Sequence, residues 1–251
     1  MMRARTMLHT PASPFLPLYA TAPHPCSYLP GQRARSQVIA LHGPVSTALH
    51  AQLLDHGFRR SGPFIYRPWC HDCRACVPVR VAVARFVPSR TQRRIVARNA
   101  HLDWREVSRQ PGDEQYALFL RYQRARHPDG GMDQDSPAQY AQFIRDTCTD
   151  SRLFEARAQD GTLRLASLMD VADSGLSAVY TFFDPDRAQD SLGTWAILRQ
   201  IALCQQLGLP YLYLGYWIAN CPKMAYKNRF SALQYFYAHR WHDTPPLCLT
   251  T

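Results

Sequence analysis

The chain has 251 residues, 46% of them hydrophobic, and a formal net charge of +10. That apolar content supports a sizeable core and excludes wholesale disorder, and without an apolar run of 18 residues no transmembrane helix is expected. The charge is uneven: residues 1–110 hold 16 Arg against 4 acidic residues, a net of +12, whereas residues 111–251 come to −2, so the first part is expected to face a polyanion.

Residues 1–35 are proline-rich and read as loop, with no apolar stretch of the kind a secretory signal needs. Residues 45–57 read as a short helix with Leu49, Leu53 and Leu54 on one face and Gly57 at its end. Residues 64–66 and 77–83 read as strands, the second placing Val77, Val79, Val81 and Val83 on one side. Ser89-Arg-Thr-Gln92 is a capping box. It opens a helix to about residue 99, on which Arg90, Arg94 and Arg98 form a stripe with Arg93 beside it, a shape that tracks a phosphate backbone.

Beyond residue 100 the periodicity predicts a strand over 102–107, helices over 114–127 and 136–147, and strands over 153–158, 163–171 and 176–183. A helix follows over 192–207, with Ser191 as N-cap and Ile197, Leu198, Ile201 and Cys204 on its apolar face. Then come a strand over 211–218 and a last aromatic strand over 233–241. In the 211–218 strand, Leu212 and Leu214 are expected on one face, and Tyr211, Tyr213 and Trp217 on the other. The fold class is α+β. A smaller basic, cysteine-containing domain over 1–100 precedes a domain over 101–251 whose mixed sheet with helices follows the element order of the GNAT-like acyltransferases.

Three segments carry chemistry. Cys70, Cys73 and Cys76, with Cys26 upstream, offer four soft thiolates at spacings that let sulfurs converge on zinc or an iron–sulfur cluster; a reduced, metal-free thiol cluster is the alternative. Cys148, Cys204, Cys221 and Cys248 are scattered. The start of the 192–207 helix, with Ser191 and Gly193, is a candidate anion site. Its loop lacks the second glycine that a CoA pyrophosphate wants and carries Asp184, Asp186 and Asp190, so CoA is not expected. Residues 214–227 run from an apolar strand into Tyr216, Trp217, Tyr226 and the chain's two lysines, Lys223 and Lys227. Aromatics beside cations suit an unpaired nucleotide end.

Several motifs in fixed order then carry a resemblance. They are Pro25-Cys26-Ser-Tyr-Leu-Pro30-Gly, Gly57-Phe-Arg-Arg-Ser61-Gly, Tyr66-Arg-Pro-Trp-Cys70-His-Asp-Cys73-Arg-Ala-Cys76-Val-Pro-Val-Arg80, Ser89-Arg-Thr-Gln-Arg-Arg94, Ser191-Leu-Gly-Thr194, and Leu214-Gly-Tyr-Trp217 through Lys223-Met-Ala-Tyr-Lys227. Over roughly residues 16–240 the chain resembles the bacterial aspartate/glutamate leucyltransferases, relatives of the arginyl-tRNA–protein transferases. The resemblance implies a cytoplasmic enzyme that moves leucine from leucyl-tRNA to proteins beginning with Asp or Glu and so marks them for degradation in the N-end rule pathway.

On that reading Arg90, Arg93, Arg94 and Arg98 hold tRNA, and Arg80, Lys223 or Lys227 meets the acidic side chain. Val179, Tyr180 and Phe182 are candidates for the leucine pocket, and Tyr180, Asp184 and Tyr216 for the catalytic base. Cys26, Cys70, Cys73 and Cys76 form the zinc or iron–sulfur site. No ATP is needed, because the aminoacyl ester is already activated, and no membrane partner is expected. The alternatives are a CoA-dependent acyltransferase on the same fold, arginine as the transferred residue, and a non-catalytic RNA-binding protein with a metal knuckle.

Overall fold

A computed structural model describes residues 16–41, 43–128 and 132–247. Two sheets organise it. A small antiparallel sheet joins β1 (Leu18–Ala20), β4 (Ser36–Ile39), β6 (Phe64–Pro68) and β5 (Arg59–Ser61), in that spatial order. The short pair β2 (His24–Pro25) and β3 (Arg33–Ala34) closes the loop that carries Cys26. Helix α1 (Thr47–Asp55) follows β4, with Ser46 accepting from the Leu49 amide as N-cap. Its Leu53 packs with Ile39, Phe58 and Ile65 beneath the small sheet.

The large sheet has eight strands. The chain first supplies β7 (Val77–Ala82), then α2 (Arg90–Arg98), β8 (Asp103–Val107), α3 (Asp113–Arg126) and α4 (Pro137–Arg145). There follow β9 (Asp150–Arg157), β10 (Leu163–Ala172), β11 (Gly175–Phe183), α5 (Leu192–Gln206), β12 (Tyr211–Trp217), the short α6 (Pro222–Ala225), β13 (Leu233–Tyr237) and β14 (Arg240–His242). Their spatial order is β14-β13-β7-β12-β11-β10-β9-β8, antiparallel except where β11 meets β12. This is the expected α+β class, with a mixed sheet flanked by helices. The line drawn at residue 100 does not separate two sheets, however, because β7 lies inside the large sheet between β13 and β12.

Alternation along the strands assigns the two faces. Val77, Val79, Val81, Phe154, Ala156, Leu165 and Leu212 face α5 and the Ile95 side of α2. Leu153, Ala166, Leu168 and Phe182 face α3 and α4 on the other side. Both halves of the Ser89 capping box form, the Gln92 amide donating to Ser89 Oγ at 3.2 Å and the Ser89 amide to Gln92 Oε1 at 2.8 Å.

Four local expectations change. The stretch read as loop forms β1, β2 and β3 among its described residues, because its short segments pair with one another and with β4. Trp217 joins Leu212 and Leu214 on one face, because a bulge between Tyr213 and Gly215 reverses the alternation beyond it. The last aromatic strand is a hairpin, turning at Ala238 and His239, both at positive φ. Ser191 occupies the N-cap of α5 but is left-handed, with φ 53°, and its side chain caps nothing.

The small sheet is fastened to the large one by a buried ion pair. Arg60 on β5 donates from Nε and Nη2 to Asp170 Oδ2 and Oδ1 on β10 at 2.7 and 2.8 Å, and both side chains are at most 1% exposed. Ser151 Oγ donates to the same carboxylate at 2.5 Å. Asp170→Ala would strand a buried guanidinium and is expected to destabilise the fold by about 3–5 kcal/mol, read as a lower urea midpoint. The double change Arg60→Met, Asp170→Leu is expected to cost far less.

Candidate active site

β11 and β12 pair only where Gly175 meets Tyr211, Leu176 meets Leu212 and Ser177 meets Tyr213. Past Ser177 they part: β11 stays paired with β10 to Phe183, and only its oxygens on the β12 side lose a strand partner. Arg59 fills the opening. Its Nη2 donates to Ala178 O at 2.5 Å and reaches Val179 O at 3.4 Å. It gets there by passing over Gly215, where a Cβ would sit 1.6 Å from Arg59 Nη1. Gly215 has φ 77°, the left-handed region that favours glycine, so the bulge and the missing side chain together clear the path.

Lys227 lies in the loop beyond β12. It is 5% exposed, and its ammonium donates to Tyr216 O and to Met224 Sδ. Burial first, and then the charge of Arg59, bring its pKa down to about 7. Tyr216 is buried and donates its hydroxyl to Gly57 O at 2.9 Å, which ties β12 to the loop before β5. Burial raises its pKa well above the usual phenol range. Tyr28, whose pKa burial raises to about 12, lies within electrostatic reach of Tyr66, Cys76 and Arg59.

Further along β11, Tyr180 accepts a hydrogen bond from Gln123 Nε2 at 3.0 Å. Burial and the neighbouring Tyr122 raise its pKa, so the phenol keeps a proton that it can donate. Lys223 is exposed on α6, and its charge, after burial, lowers the pKa of His127. Tyr216 and Lys227 thus lie within electrostatic reach of Arg59, whereas Tyr180 packs with Phe119 and Phe143 on the α3 and α4 side and Lys223 lies within reach of His127.

The other expected site residues stand elsewhere. Arg80 is buried and committed: it pairs with Asp55 at 2.7 Å, donates to Gln234 Oε1 at 2.9 Å and stacks on Tyr211 and Trp241. No N–H group of that kind is aimed at a substrate, so its role is to bind α1 to the sheet. Asp184 is buried between Arg121 and Arg164, each at 2.8 Å, and also accepts from the Asp186 amide. Both of its oxygens are thus taken up by guanidinium groups. Gly193 gives Phe183 room, since a Cβ there would lie 2.9 Å from the Phe183 ring. Phe182 is interior, at 1% exposure, whereas Val179 and Tyr180 are partly exposed.

On α2 all four arginines are exposed. Arg93 donates to Pro88 O and Arg98 to Gln189 O; Arg90 and Arg94 have no partner among the described residues.

Cys26, Cys70 and Cys73 all lie within electrostatic reach of Cys76, whose thiol burial pushes up to about 12. Cys221, which looks isolated in the sequence, packs with Cys73 and Cys76. The donor chemistry suits a thiophilic ion. Even so, among the described residues no group of three or more His, Cys, Asp or Glu side chains is placed to hold one.

Two family models match the chain. The N terminus of arginine-tRNA-protein transferase matches residues 24–94, and the C terminus of the same enzyme matches residues 114–237. This chain belongs to the arginine-tRNA-protein transferase family. An aspartate/glutamate leucyltransferase of Chromobacterium violaceum is 48% identical over 227 residues, covering 90% of this chain and 93% of its own. Another from Thiobacillus denitrificans is 51% identical over 229 residues, covering 90% and 95%. A solved structure of FemX aligns over 77% of this chain and 78% of its own with a TM-score of 0.47 and 10% identity. No described helix of this family member is long and apolar enough to cross a membrane.

Reading the motifs alone passes over Arg59. Two signals pointed to it: the Arg59-Arg60 doublet after Gly57, and a glycine in the middle of an otherwise bulky strand, which marks a bulge or a close approach.

Proposed function

We propose that this chain transfers leucine from leucyl-tRNA to the α-amine of proteins beginning with Asp or Glu, in the cytoplasm, marking them for degradation. Near-full-length likeness to two aspartate/glutamate leucyltransferases carries this reading. We place the reaction at the opening between β11 and β12. The aminoacyl ester is already activated, so neither ATP nor CoA is required. The acceptor amine, with a usual pKa of about 8, attacks the ester carbonyl carbon and forms the C–N bond. The carbonyl electrons move to oxygen and return as the C–O bond to the terminal ribose breaks, and the proton that the amine loses ends on the departing ribose oxygen.

The protein's work is then to position the two substrates and stabilise the oxyanion. Tyr180 suits the oxyanion, because Gln123 donates to its oxygen and leaves the phenol proton free to point outward. Tyr216 spends its proton on Gly57 O, and Asp184 is held by arginines, so neither fits the base. Val179 and Tyr180 form the wall nearest the leucyl side chain.

The assay incubates the purified chain with labelled leucyl-tRNA and peptides beginning with Asp, Glu, Arg or Ala. Transfer is expected to the first two only, and no transfer to either refutes the reading. Tyr180→Phe is expected to lower kcat by about 10²- to 10³-fold with little change in KM; an unchanged kcat removes Tyr180 from the chemistry.

The exposed α2 stripe is read as a tRNA contact. Replacing Arg90, Arg94 and Arg98 together by Ala is expected to make the dependence of log affinity on log salt shallower by about two to three. An unchanged slope returns the stripe to solvent.

Cys26, Cys70, Cys73 and Cys76 are read as the holders of zinc or an iron–sulfur cluster. Such a group would brace the loops around Tyr28 and take no part in the acyl transfer. Elemental analysis of anaerobically purified protein is expected to find stoichiometric zinc or iron, reduced in Cys73→Ser. A fully folded, active protein free of both contradicts this.

A further inference from the structure

Arg59 is a partly buried cation that no acidic group answers among the described residues. Its neighbour Arg60 has Asp170, Arg80 has Asp55 and Arg164 has Asp184. Arg59 has only the main-chain oxygens of Ala178 and Val179, both reached by Nη2. Its Nε and Nη1 make no hydrogen bond among the described residues. The second charge beside it, Lys227, is also without a carboxylate, and donates to a main-chain oxygen and a thioether sulfur. Two like charges with so little solvent repel each other, and each has given up hydration without gaining an ion pair. The groups around them are the phenols of Tyr28, Tyr216 and Tyr226 and the thiols of Cys76 and Cys221, none of them a carboxylate. An arrangement of this kind is complementary to one carboxylate brought in from outside, because a single anion would relieve the repulsion and accept charge-assisted hydrogen bonds from both cations.

We propose that Arg59, seconded by Lys227, is the specificity residue for the acceptor, receiving the side-chain carboxylate of its N-terminal Asp or Glu at the opening between β11 and β12. The inference rests on the leucyl-transfer reading and names the group that makes that transfer selective. The hydrogen bond to Ala178 O sets the position: it holds the guanidinium at the mouth of the opening, so that the α-amine, three bonds from the carboxylate carbon of Asp and four from that of Glu, is delivered along β11 toward Tyr180. Lys227 fits the role electrostatically, since its depressed affinity for a proton would recover once an anion neutralised the site.

The test compares peptides that begin with Glu and with its neutral isostere Gln. Binding to the protein alone is measured by titration calorimetry, and leucine transfer by initial rates. Wild type is expected to prefer the Glu peptide in both measurements. In Arg59→Gln the affinity and KM for the Glu peptide are expected to worsen by about 10- to 100-fold, the Glu/Gln ratio to fall by the same factor, and the KM for leucyl-tRNA to stay put. Gly215→Ala keeps the charge but fills the space that Nη1 occupies, and is expected to reproduce the fall.

If either folded variant loses activity equally toward Glu and Gln peptides, with the ratio preserved, Arg59 is a wedge between strands and the proposal is wrong. A wild type that binds both peptides equally also overturns it. A wild type that binds the Glu peptide selectively but transfers no leucine refutes the transferase reading while leaving the carboxylate site standing.

Discussion

The buried pair between Arg60 and Asp170 is the constraint on which the candidate site depends. A bidentate guanidinium–carboxylate contact has one good geometry, and this one joins the short β5 to the long β10 at almost zero exposure. Such a pair is a modest source of net stability but a strong source of registry, because any slippage leaves two charges buried and unmatched. Once Arg60 is seated, the position of Arg59 follows from the backbone. It enters the large sheet at the level where β11 and β12 separate. The hydroxyls of Thr147, Thr149 and Ser151 extend the polar network behind Asp170.

The opening itself comes from a second, local device. β11 and β12 are the parallel neighbours in the large sheet, and the bulge before Gly215 turns β12 away after three paired positions. In an ordinary sheet the freed carbonyls would demand a new strand. Here Arg59 supplies the hydrogen bond, so the sheet stays open without leaving a buried acceptor unpaired. Lys227 does the same for Tyr216 O at the opposite lip. The two cations therefore hold the opening apart structurally while keeping charge in reserve, a combination that polar but neutral side chains would not provide.

Much of this protein can be read locally. The capping box at Ser89, the alternation of valines along β7 and the apolar face of α5 depend on residues within a few positions of one another, and they appear where periodicity and cap chemistry place them. Position within the site is less readable. Arg80, Asp184 and Tyr216 are the right chemical types in the right segments. Yet Arg80 meets Asp55, Asp184 meets Arg121, and Tyr216 meets a carbonyl 159 residues earlier in the chain. A side chain's partners decide whether it is free to react, and those partners are distant in sequence.

The sequence by itself determined most of the secondary elements beyond residue 63, the α+β class, the basic first part and the family, because each rests on local pattern or on motifs in linear order. Only the tertiary structure decided which cations are spent and which are spare, that β7 belongs to the large sheet, and that Trp217 faces the core with Leu212. Each of these turns on long-range strand pairing or on a single bulge. A one-residue change in register reverses every side chain beyond it, so no count along the chain could place Arg59 over Gly215.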